Sequence, residues 1–321
     1  MKQLFLFAAT LLVCLSAQAQ EPREVQHFAH RASRFEYEEN TMYAFETAYA
    51  RGARGFETDV RMTGSGDLIL SHDESLYRTC GVDVQTENLT TKECLKIKTK
   101  SGNPLALCQE LADFLAGKPN MYIEWEIKTI PELYTEAKLE ELCDKLWNMT
   151  MPNKPESSLY LFTSFDTRAL RIMKRLHPEA EMMLLKSKPA SPEILMEAYN
   201  MGIMRVGCKM DGTTRSTIRL GHKLGMIVSL WPGSNKEDFL LGAALGCDAI
   251  CCDRFFEVAE WVEKNLPFVK IPTLLLYLQY NILHYLNGDC NEKLHNSSYK
   301  TRLHQRKFRG QIYRSHRRIT L

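Results

Sequence analysis

The segment FETDVRMTGSGDLILSHDE places two carboxylates and a histidine in two neighbouring strand-like runs. Glu57 and Asp59 stand two residues apart in the first run, so on a β-strand both side chains point to the same face. Two adjacent carboxylates repel each other unless a cation or a shared proton lies between them. Oxygen ligands of this kind favour Ca²⁺ or Mg²⁺ over softer metals. The pattern therefore predicts a divalent cation site, with His72 at the end of the second run available for proton transfer.

A later strand-like run, MYIEWEI at 121–127, carries two further acids. Glu124 and Glu126 alternate with apolar residues and share one strand face with Lys128. Either glutamate can supply a third carboxylate for the cation, and Lys128 can bind an anionic group of a substrate. The spacing alone leaves open which of the two glutamates takes part.

Histidine and arginine stand together where the first strand-like run, 25–30, ends. His30 and His72 can act as a general acid and a general base, and Arg31 carries the planar guanidinium that binds phosphate or carboxylate through two hydrogen bonds. A hard cation, two histidines, an arginine and a lysine together predict displacement at phosphorus. Charge stabilisation does most of the work in such a reaction.

Nine short strand-like runs alternate with helix-like segments between residues 25 and 252. Alternation of this kind is typical of parallel strands joined by crossover helices. About eight strand–helix units in ~250 residues favour an α/β fold of the (β/α)8 TIM barrel type over an open, doubly wound sheet.

Polar residues of these runs stand at or just beyond their carboxyl ends, at His30, Asp59, His72, Thr163 and Trp231. In a barrel those ends converge on one mouth, so side chains far apart in sequence can meet. The stretch between His72 and Met121 is too long for a simple strand-to-helix connection. It predicts a small insertion after the His72-Asp73 pair, at about 80–104.

Composition and charge set further bounds on the class of protein. The 321 residues are 45% hydrophobic and 25% charged, and the formal net charge is only +2, as expected of a globular chain. Residues 288–321 carry nine Lys or Arg against two acids, which leaves the preceding body net negative. No nucleotide-binding loop, zinc spacing or nucleic-acid module occurs in the sequence, so nucleic acid is not expected as a partner.

The N-terminal sequence predicts export from the cytoplasm. Residues 1–19 combine Lys2, an apolar stretch and the small-residue site Ala17-Gln18-Ala19, which is the pattern of a secretory signal peptide. The mature chain is therefore expected to begin at Gln20 and to be periplasmic or secreted. Residues 20–266 form the predicted barrel domain.

Residues 267–321 predict an appended segment in two parts. The apolar stretch at 274–286 is thirteen residues long, whereas a membrane-spanning helix needs ~20. An appended apolar helix is expected there, followed by a basic, flexible tail. Together they suit peripheral contact with an anionic membrane.

Cysteine is not expected to carry chemistry. Nine of the ten cysteines remain after the signal peptide, an odd number without short metal-binding spacing. Cys247 and Cys251 lie in apolar runs, which predicts buried thiols that behave as small hydrophobic residues.

The chain resembles the glycerophosphodiester phosphodiesterases in an ordered series of motifs. The resemblance covers roughly residues 25–265, and the HR, ENT, E-x-D and HD motifs together are quite specific. The motifs are AHR (29–31), ENT (39–41), E-x-D (57–59) in GFETDV, HDESLYRT (72–79), E-x-K (126–128), Ser164-Phe165, Trp231 and Asp253-Arg254.

This resemblance implies a TIM barrel enzyme that cleaves glycerophosphodiesters to glycerol 3-phosphate and an alcohol. A divalent cation, Ca²⁺ or Mg²⁺, is implied at Glu57, Asp59 and Glu126. His72 is implied as the base and His30 as the acid. The implied substrate-binding residues are Arg31 and Lys128, which would hold the phosphate, and Trp231, near which the headgroup is chosen.

Three positions depart from the family pattern. Ala32 stands where glycine usually follows His-Arg, Pro232 replaces a usual threonine, and Glu124 stands where a neutral residue is common. Two other functions remain open. The same barrel can act as a phospholipase-type enzyme on membrane phospholipids or lysophospholipids, or bind glycerophosphodiesters without cleaving them.

Overall fold

The computed structural model describes residues 23–266 and the two-residue strand Val269–Lys270. Within these residues the chain forms eleven strands. They are β1 (Arg23–Glu24), β2 (Gln26–Ala29), β3 (Gly55–Met62), β4 (Leu68–Leu70), β5 (Tyr122–Ile127), β6 (Leu159–Ser164), β7 (Met182–Pro189), β8 (Arg205–Lys209), β9 (Ile227–Gly233), β10 (Ala249–Cys252) and β11 (Val269–Lys270).

Eight parallel strands close into a barrel. Their order around it is β2, β10, β9, β8, β7, β6, β5 and β3, and β3 returns to β2 where Phe56 pairs with Ala29. Gly55 lies at this seam because a Cβ atom there would stand 2.7 Å from the Cβ of Phe28. The closed parallel barrel confirms the predicted TIM barrel fold.

The ninth strand of this sheet is a hairpin partner and not a barrel strand. β4 runs antiparallel to β3, with Val60 opposite Leu70. The turn between them has the backbone N–H of Thr63 donating to the carbonyl of Asp67 at 2.8 Å, and Gly66 adopts φ +90°. Glycine enters that left-handed region without steric cost. The hairpin returns the chain to the mouth within a few residues, so that His72 follows β4 directly.

Helices follow the barrel strands and cover their outer faces. Several begin at a side-chain cap, as where Oγ1 of Thr41 accepts from the backbone N–H of Ala44. Within the described residues the α-helices are Met42–Ala50, Tyr77–Cys80, Thr91–Cys94, Cys108–Ala116, Glu136–Thr150, Thr167–Leu176, Pro192–Asn200, Arg215–Lys223, Lys236–Leu245 and Phe255–Asn265, with 3₁₀ turns at His30–Ala32 and Thr86–Asn88.

The apolar core has two layers. The larger layer packs the outward faces of the strands against the helices, and Trp125, Phe56 and Phe162 are fully buried in it. A smaller cluster fills the interior of the barrel below the mouth; its members are Phe28, Tyr122, Leu161, Ala249 and Cys251, with Leu159 and Trp231 packed against them. This inner layer forms the bottom of the barrel mouth, where polar side chains were predicted to meet.

The predicted insertion is a small lobe with its own core. Between β4 and the helix Cys108–Ala116 the chain forms short helical turns, and Ile69, Leu76, Cys94 and Leu105 are buried together. The lobe follows the His72-Asp73 pair, as predicted.

The predicted terminal segments lie outside the described residues. These are the signal peptide at 1–19 and almost all of the appended segment at 267–321. Within the described part of the chain, no helix has the length and apolar character that crossing a membrane requires.

Candidate active site

Three carboxylates meet at the mouth of the barrel, where β3 and β5 run side by side. Their parallel register pairs Glu57 with Glu124 and Asp59 with Glu126. Oxygen atoms of Glu57, Asp59 and Glu126 lie within 4.8 Å of one another, and all three residues are buried. The structure thus brings the three implied cation ligands together and makes Glu126, not Glu124, the third member of the cluster.

Two cationic side chains contact this cluster. Nζ of Lys128 lies 2.5 Å from Oε1 of Glu126 and 3.2 Å from Oδ1 of Asp59. Nε of Arg31 lies 3.3 Å from Oδ2 of Asp59, while its backbone N–H donates to Oε2 of Glu57 at 3.0 Å. Both residues that were expected to hold phosphate therefore also balance the charge of the carboxylates.

Charge and burial act differently on the three acids. Burial, together with the Asp59 and Glu126 carboxylates, raises the pKa of Glu57 well above its usual value. Burial also acts to raise the pKa of Asp59, but Lys128 and Arg31 outweigh it and lower that pKa. Burial raises the pKa of Glu126. Glu57 is thus the member that retains a proton most readily, and a bound cation would displace that proton.

The cluster fits a hard divalent cation. Oε1 of Glu57 is buried and has no hydrogen-bond partner among the described residues. All three side chains offer oxygen atoms, which Ca²⁺ and Mg²⁺ both prefer. Glu57, Asp59 and Glu126 would be the protein ligands of such an ion.

His30 begins the turn after β2 and is held by a carboxylate that follows the last barrel strand, β10. Its Nδ1 lies 2.5 Å from Oδ1 of Asp253, and its Nε2 lies 3.6 Å from Oε2 of Glu57. Asp253 follows β10 and also accepts hydrogen bonds from Arg34 and Ser234. Burial lowers the pKa of His30, and the bond to Asp253 opposes that effect. Nε2 is the ring nitrogen left to exchange a proton at the mouth.

His72 follows β4 and has a similar carboxylate partner. Its Nδ1 is 2.7 Å from Oδ1 of Asp73, and Asp73 also accepts from Nε of Arg78 at 2.5 Å. The backbone carbonyl of His72 accepts from Nη2 of Arg61 at 2.8 Å, and Arg61 is paired with Glu87 at 2.9 Å. Burial lowers the pKa of His72 to about 4, so the imidazole is neutral at pH 7.

Comparison with known proteins identifies the family. The sequence model described as the Glycerophosphoryl diester phosphodiesterase family matches residues 30–256, which hold both histidines and all three carboxylates. The chain belongs to this family. The predicted enzyme class, a phosphoric diester hydrolase, is therefore confirmed.

Individual phosphodiesterases resemble the chain over most of their length. The glycerophosphodiester phosphodiesterase of Caldanaerobacter subterraneus subsp. tengcongensis is 26% identical over 256 residues, covering 74% of this chain and 97% of that protein. The one from Bacillus altitudinis is 24% identical over 235 residues, covering 70% and 93%. A phosphodiesterase of Oleispira antarctica, solved with the product sn-glycerol-3-phosphate, has the same fold, with TM-score 0.68, 20% identity and coverage of 74% and 96%.

The sequence did not predict which residues support the functional side chains of this phosphodiesterase site. Glu39 accepts from Nη1 of Arg31 at 3.0 Å and from both terminal nitrogens of Arg78, so it links the barrel to the insertion. Nδ2 of Asn40 donates to Oδ2 of Asp59 at 2.8 Å. The ENT motif was the available signal, but spacing does not show which carboxylate or cation each residue would contact.

Ala32 occupies a position that favours glycine. Arg31 and Ala32 have φ values of +51° and +61°, and Ser33 has +73°. Left-handed conformations cost L-residues roughly 1–2 kcal/mol each, which explains why the family usually places glycine after His-Arg. In this phosphodiesterase the turn tolerates alanine, and the Arg31 N–H still reaches Glu57.

The remaining predicted residues lie on the wall or floor of the same mouth. Trp231 is half-buried, and its ring meets Phe165 edge-on with centroids 5.8 Å apart. Thr163 is fully buried and lies beside Glu126 in the strand register. Glu124 accepts a hydrogen bond from the Tyr122 hydroxyl, and burial raises its pKa to about 8. Glu124 is therefore mostly protonated at pH 7 and adds little charge to the mouth.

Proposed function

We propose that this protein is an exported, cation-dependent phosphodiesterase that hydrolyses glycerophosphodiesters to glycerol 3-phosphate and an alcohol. The observation that carries the proposal is the meeting of Glu57, Asp59 and Glu126 with His30 and His72 in one barrel mouth. Three carboxylates with two cationic side chains around one point can hold a divalent cation and an anionic group together. A phosphodiester bound to a divalent cation does need such a charge arrangement.

The two histidines suit opposite roles in proton transfer. His72 is neutral at pH 7 because burial lowers its pKa, and its Nε2 can accept the proton of the attacking hydroxyl. His30 is bonded to Asp253 through Nδ1, and this carboxylate opposes the lowering of the His30 pKa by burial. Nε2 of His30 can give that proton to the leaving alcohol as the bond from phosphorus to oxygen breaks.

Arg31 and Lys128 would bind the phosphate oxygens while keeping contact with the carboxylates. Both side chains are fixed by ion pairs to Asp59, so their positions are set before a substrate arrives. When bound, the divalent cation would supply Lewis-acid stabilisation of the negative charge on the phosphate oxygens. The attacking hydroxyl can come from water or from the substrate's own 2-position.

The test measures glycerol 3-phosphate released from glycerophosphocholine and glycerophosphoethanolamine by the chain from Gln20 to Leu321. The cation is removed with a chelator, and Ca²⁺ or Mg²⁺ is restored separately. We expect release to stop and to return with one of the two ions. Release that continues undiminished in chelator would refute the cation dependence.

A lipid substrate is the second candidate, because aromatic side chains lie exposed near the mouth. Phe35 is 50% exposed, Tyr77 63% and Phe165 39%. An acyl chain could pack on them, so lysophosphatidylcholine is the substrate to compare. A higher kcat/KM for that lipid than for glycerophosphocholine would favour the hypothesis of a lipid substrate.

Export and membrane contact form a separate part of the proposal. The signal-like sequence at 1–19 supports export, and mass analysis of the secreted protein should show a chain that begins at Gln20. The basic residues beyond 288 support binding to an anionic surface. Co-sedimentation with anionic vesicles should disappear when residues 270–321 are deleted; an unchanged bound fraction would contradict this.

A further inference from the structure

A second group of metal-binding side chains shares Glu57 with the carboxylate cluster. His30, Glu57 and Cys251 each offer a ligand atom, and the three atoms lie within 4.8 Å of one another. Nε2 of His30 already stands 3.6 Å from Oε2 of Glu57. Ligands of a tetrahedral zinc ion with ordinary bond lengths stand about 3.3–3.6 Å apart. Small side-chain adjustments would therefore complete such a site.

Cys251 is fixed in the floor of the mouth. It lies on β10 with Phe28 of β2 as its register partner, and it is buried in the inner apolar cluster together with Tyr122 and Leu161. Its thiol is thus held beside His30 and Glu57 by the barrel strands themselves. The neighbouring Cys252 belongs to the outer core and faces away from the mouth.

The partners of His30 and Glu57 prepare both side chains for a metal. Asp253 holds Nδ1 of His30, an arrangement found around metal-bound histidines, where a carboxylate orients the ring and leaves Nε2 as the ligand atom. Oε1 of Glu57 is buried and has no hydrogen-bond partner among the described residues. A nitrogen, an oxygen and a sulfur donor thus converge on one point.

We propose that His30, Glu57 and Cys251 form an inhibitory site for a thiophilic divalent cation of the Zn²⁺ class. Nitrogen and thiolate ligands select such ions, whereas the oxygen-only cluster of Glu57, Asp59 and Glu126 selects hard ions. Binding releases the thiol proton of Cys251 to solvent, so that the sulfur coordinates as a thiolate.

Occupation of this site blocks the proposed reaction in two ways, and this consequence rests on the proposed function. Glu57 would be withdrawn from the hard-cation cluster. Nε2 of His30 would be bound to metal and could not give a proton to the leaving alcohol. Zinc is therefore expected to compete with the activating cation and to inhibit turnover.

The first measurement detects the site without activity. Cd²⁺ is titrated into the mature chain, and the ultraviolet sulfur-to-cadmium charge-transfer absorption is compared between wild type, Cys251→Ser and Cys251→Ala. The matched control is Cys80→Ser, which removes a half-buried thiol from the insertion. Both Cys251 variants should lose one Cd–thiolate band that the control retains, with thermal unfolding used to show that each variant is folded. Equal absorption in all four proteins would overturn the site.

The second measurement tests inhibition. Zinc is titrated against glycerol 3-phosphate release supported by Ca²⁺ or Mg²⁺. Cys251→Ser should raise the zinc concentration for half-inhibition by about tenfold or more, while Cys80→Ser leaves it unchanged. Equal zinc sensitivity in wild type and Cys251→Ser would overturn the inhibitory role. A Cys251-dependent cadmium band in a protein that releases no glycerol 3-phosphate would refute the proposed function and leave the metal site standing.

Discussion

At the scale of single residues, the protonation of the three buried acids at the mouth depends on how two cationic side chains are shared among them. Asp59 contacts both Lys128 and Arg31, whereas Glu57 receives a backbone N–H and keeps a buried oxygen without a partner. A buried carboxylate without a counter-charge holds its proton. Glu57 is accordingly the acid whose negative charge depends most on a bound cation.

Replacing Glu57 by Gln should therefore abolish cation binding. The substitution keeps the shape of the side chain and removes its charge, and we expect kcat/KM to fall by at least about a hundredfold. Isothermal titration with Ca²⁺ or Mg²⁺ and glycerol 3-phosphate release measure the two effects. The matched control is Glu124→Gln on the neighbouring strand, which replaces an acid that is already mostly protonated at pH 7. Similar losses in both variants would contradict the assignment of Glu57.

His72→Ala should stop turnover and leave the cation in place. Loss of a general base typically lowers rates by about 10²–10⁴-fold, and the imidazole contributes no atom to the three-carboxylate cluster. Cation titration and product release are measured on the same protein. Added imidazole should restore part of the activity, since it can enter the space of the missing ring. Loss of cation binding in this variant would assign His72 a ligand role instead.

His27 should make the stability of the fold sensitive to acid. Its ring is buried between Phe255 and Phe239, and burial lowers its pKa to about 3. The unfolded chain has an ordinary histidine pKa, so it binds a proton that the folded chain refuses between about pH 6.5 and 3. Stability is lost as pH falls through that window, by up to about 1.4 kcal/mol per pH unit from this group.

The measurement is the free energy of unfolding in urea at several pH values for wild type and His27→Phe. The variant keeps an aromatic ring between Phe239 and Phe255 and removes the titrating nitrogens. Its stability should fall less steeply with acid. Parallel curves for the two proteins would show that His27 does not titrate on unfolding.

At the scale of elements, the insertion is attached to the mouth by two acids that precede the first helix. Glu39 joins Arg78 of the insertion to Arg31 of the barrel. Glu38 accepts hydrogen bonds from Thr99, Ser101 and Asn103 of the insertion. The ENT segment therefore holds the lobe beside the site as well as orienting the site itself.

Glu38→Ala should loosen the far part of the insertion. Removal of one carboxylate breaks three hydrogen bonds, so amide hydrogen exchange should accelerate across residues 97–104 and remain unchanged in the barrel strands. Mass spectrometry of peptides from both regions makes the comparison. Glu74→Ala, which changes an exposed acid at the start of the insertion, serves as the control. Unchanged exchange at 97–104 in Glu38→Ala would show that other contacts hold the lobe.

At the scale of the whole molecule, the two ends of the described barrel meet. β1 pairs in parallel with β11, with Arg23 opposite Val269 and Glu24 opposite Lys270. A boundary at 266, as predicted from the sequence, would remove β11. A chain from Gln20 to Leu266 should therefore unfold at a lower temperature than one from Gln20 to Leu275. We expect a difference of about 2–4 °C for each kcal/mol lost. Equal calorimetric midpoints would show that this strand pair does not stabilise the barrel.

The sequence by itself determined the positions of the strands and the residue types at the mouth. Nine strand-like runs were predicted, and each of the nine strands of the sheet overlaps one of them, because alternation of apolar residues is a local property. The same local signals placed His30 and His72 just beyond strand ends, whereas Asp59 lies inside β3, three residues before its end. The ordered motifs implied the family, and the family match confirmed it.

Only the tertiary structure decided which of these residues meet. The parallel register of β3 and β5 makes Glu126 the third carboxylate and leaves Glu124 bonded to Tyr122. Closure of the barrel brings Asp253 to His30 across 223 positions and, by the pairing of β10 with β2, sets Cys251 below the same histidine. Such contacts depend on strand register and barrel closure. Both are set by packing among distant segments, which no local pattern encodes.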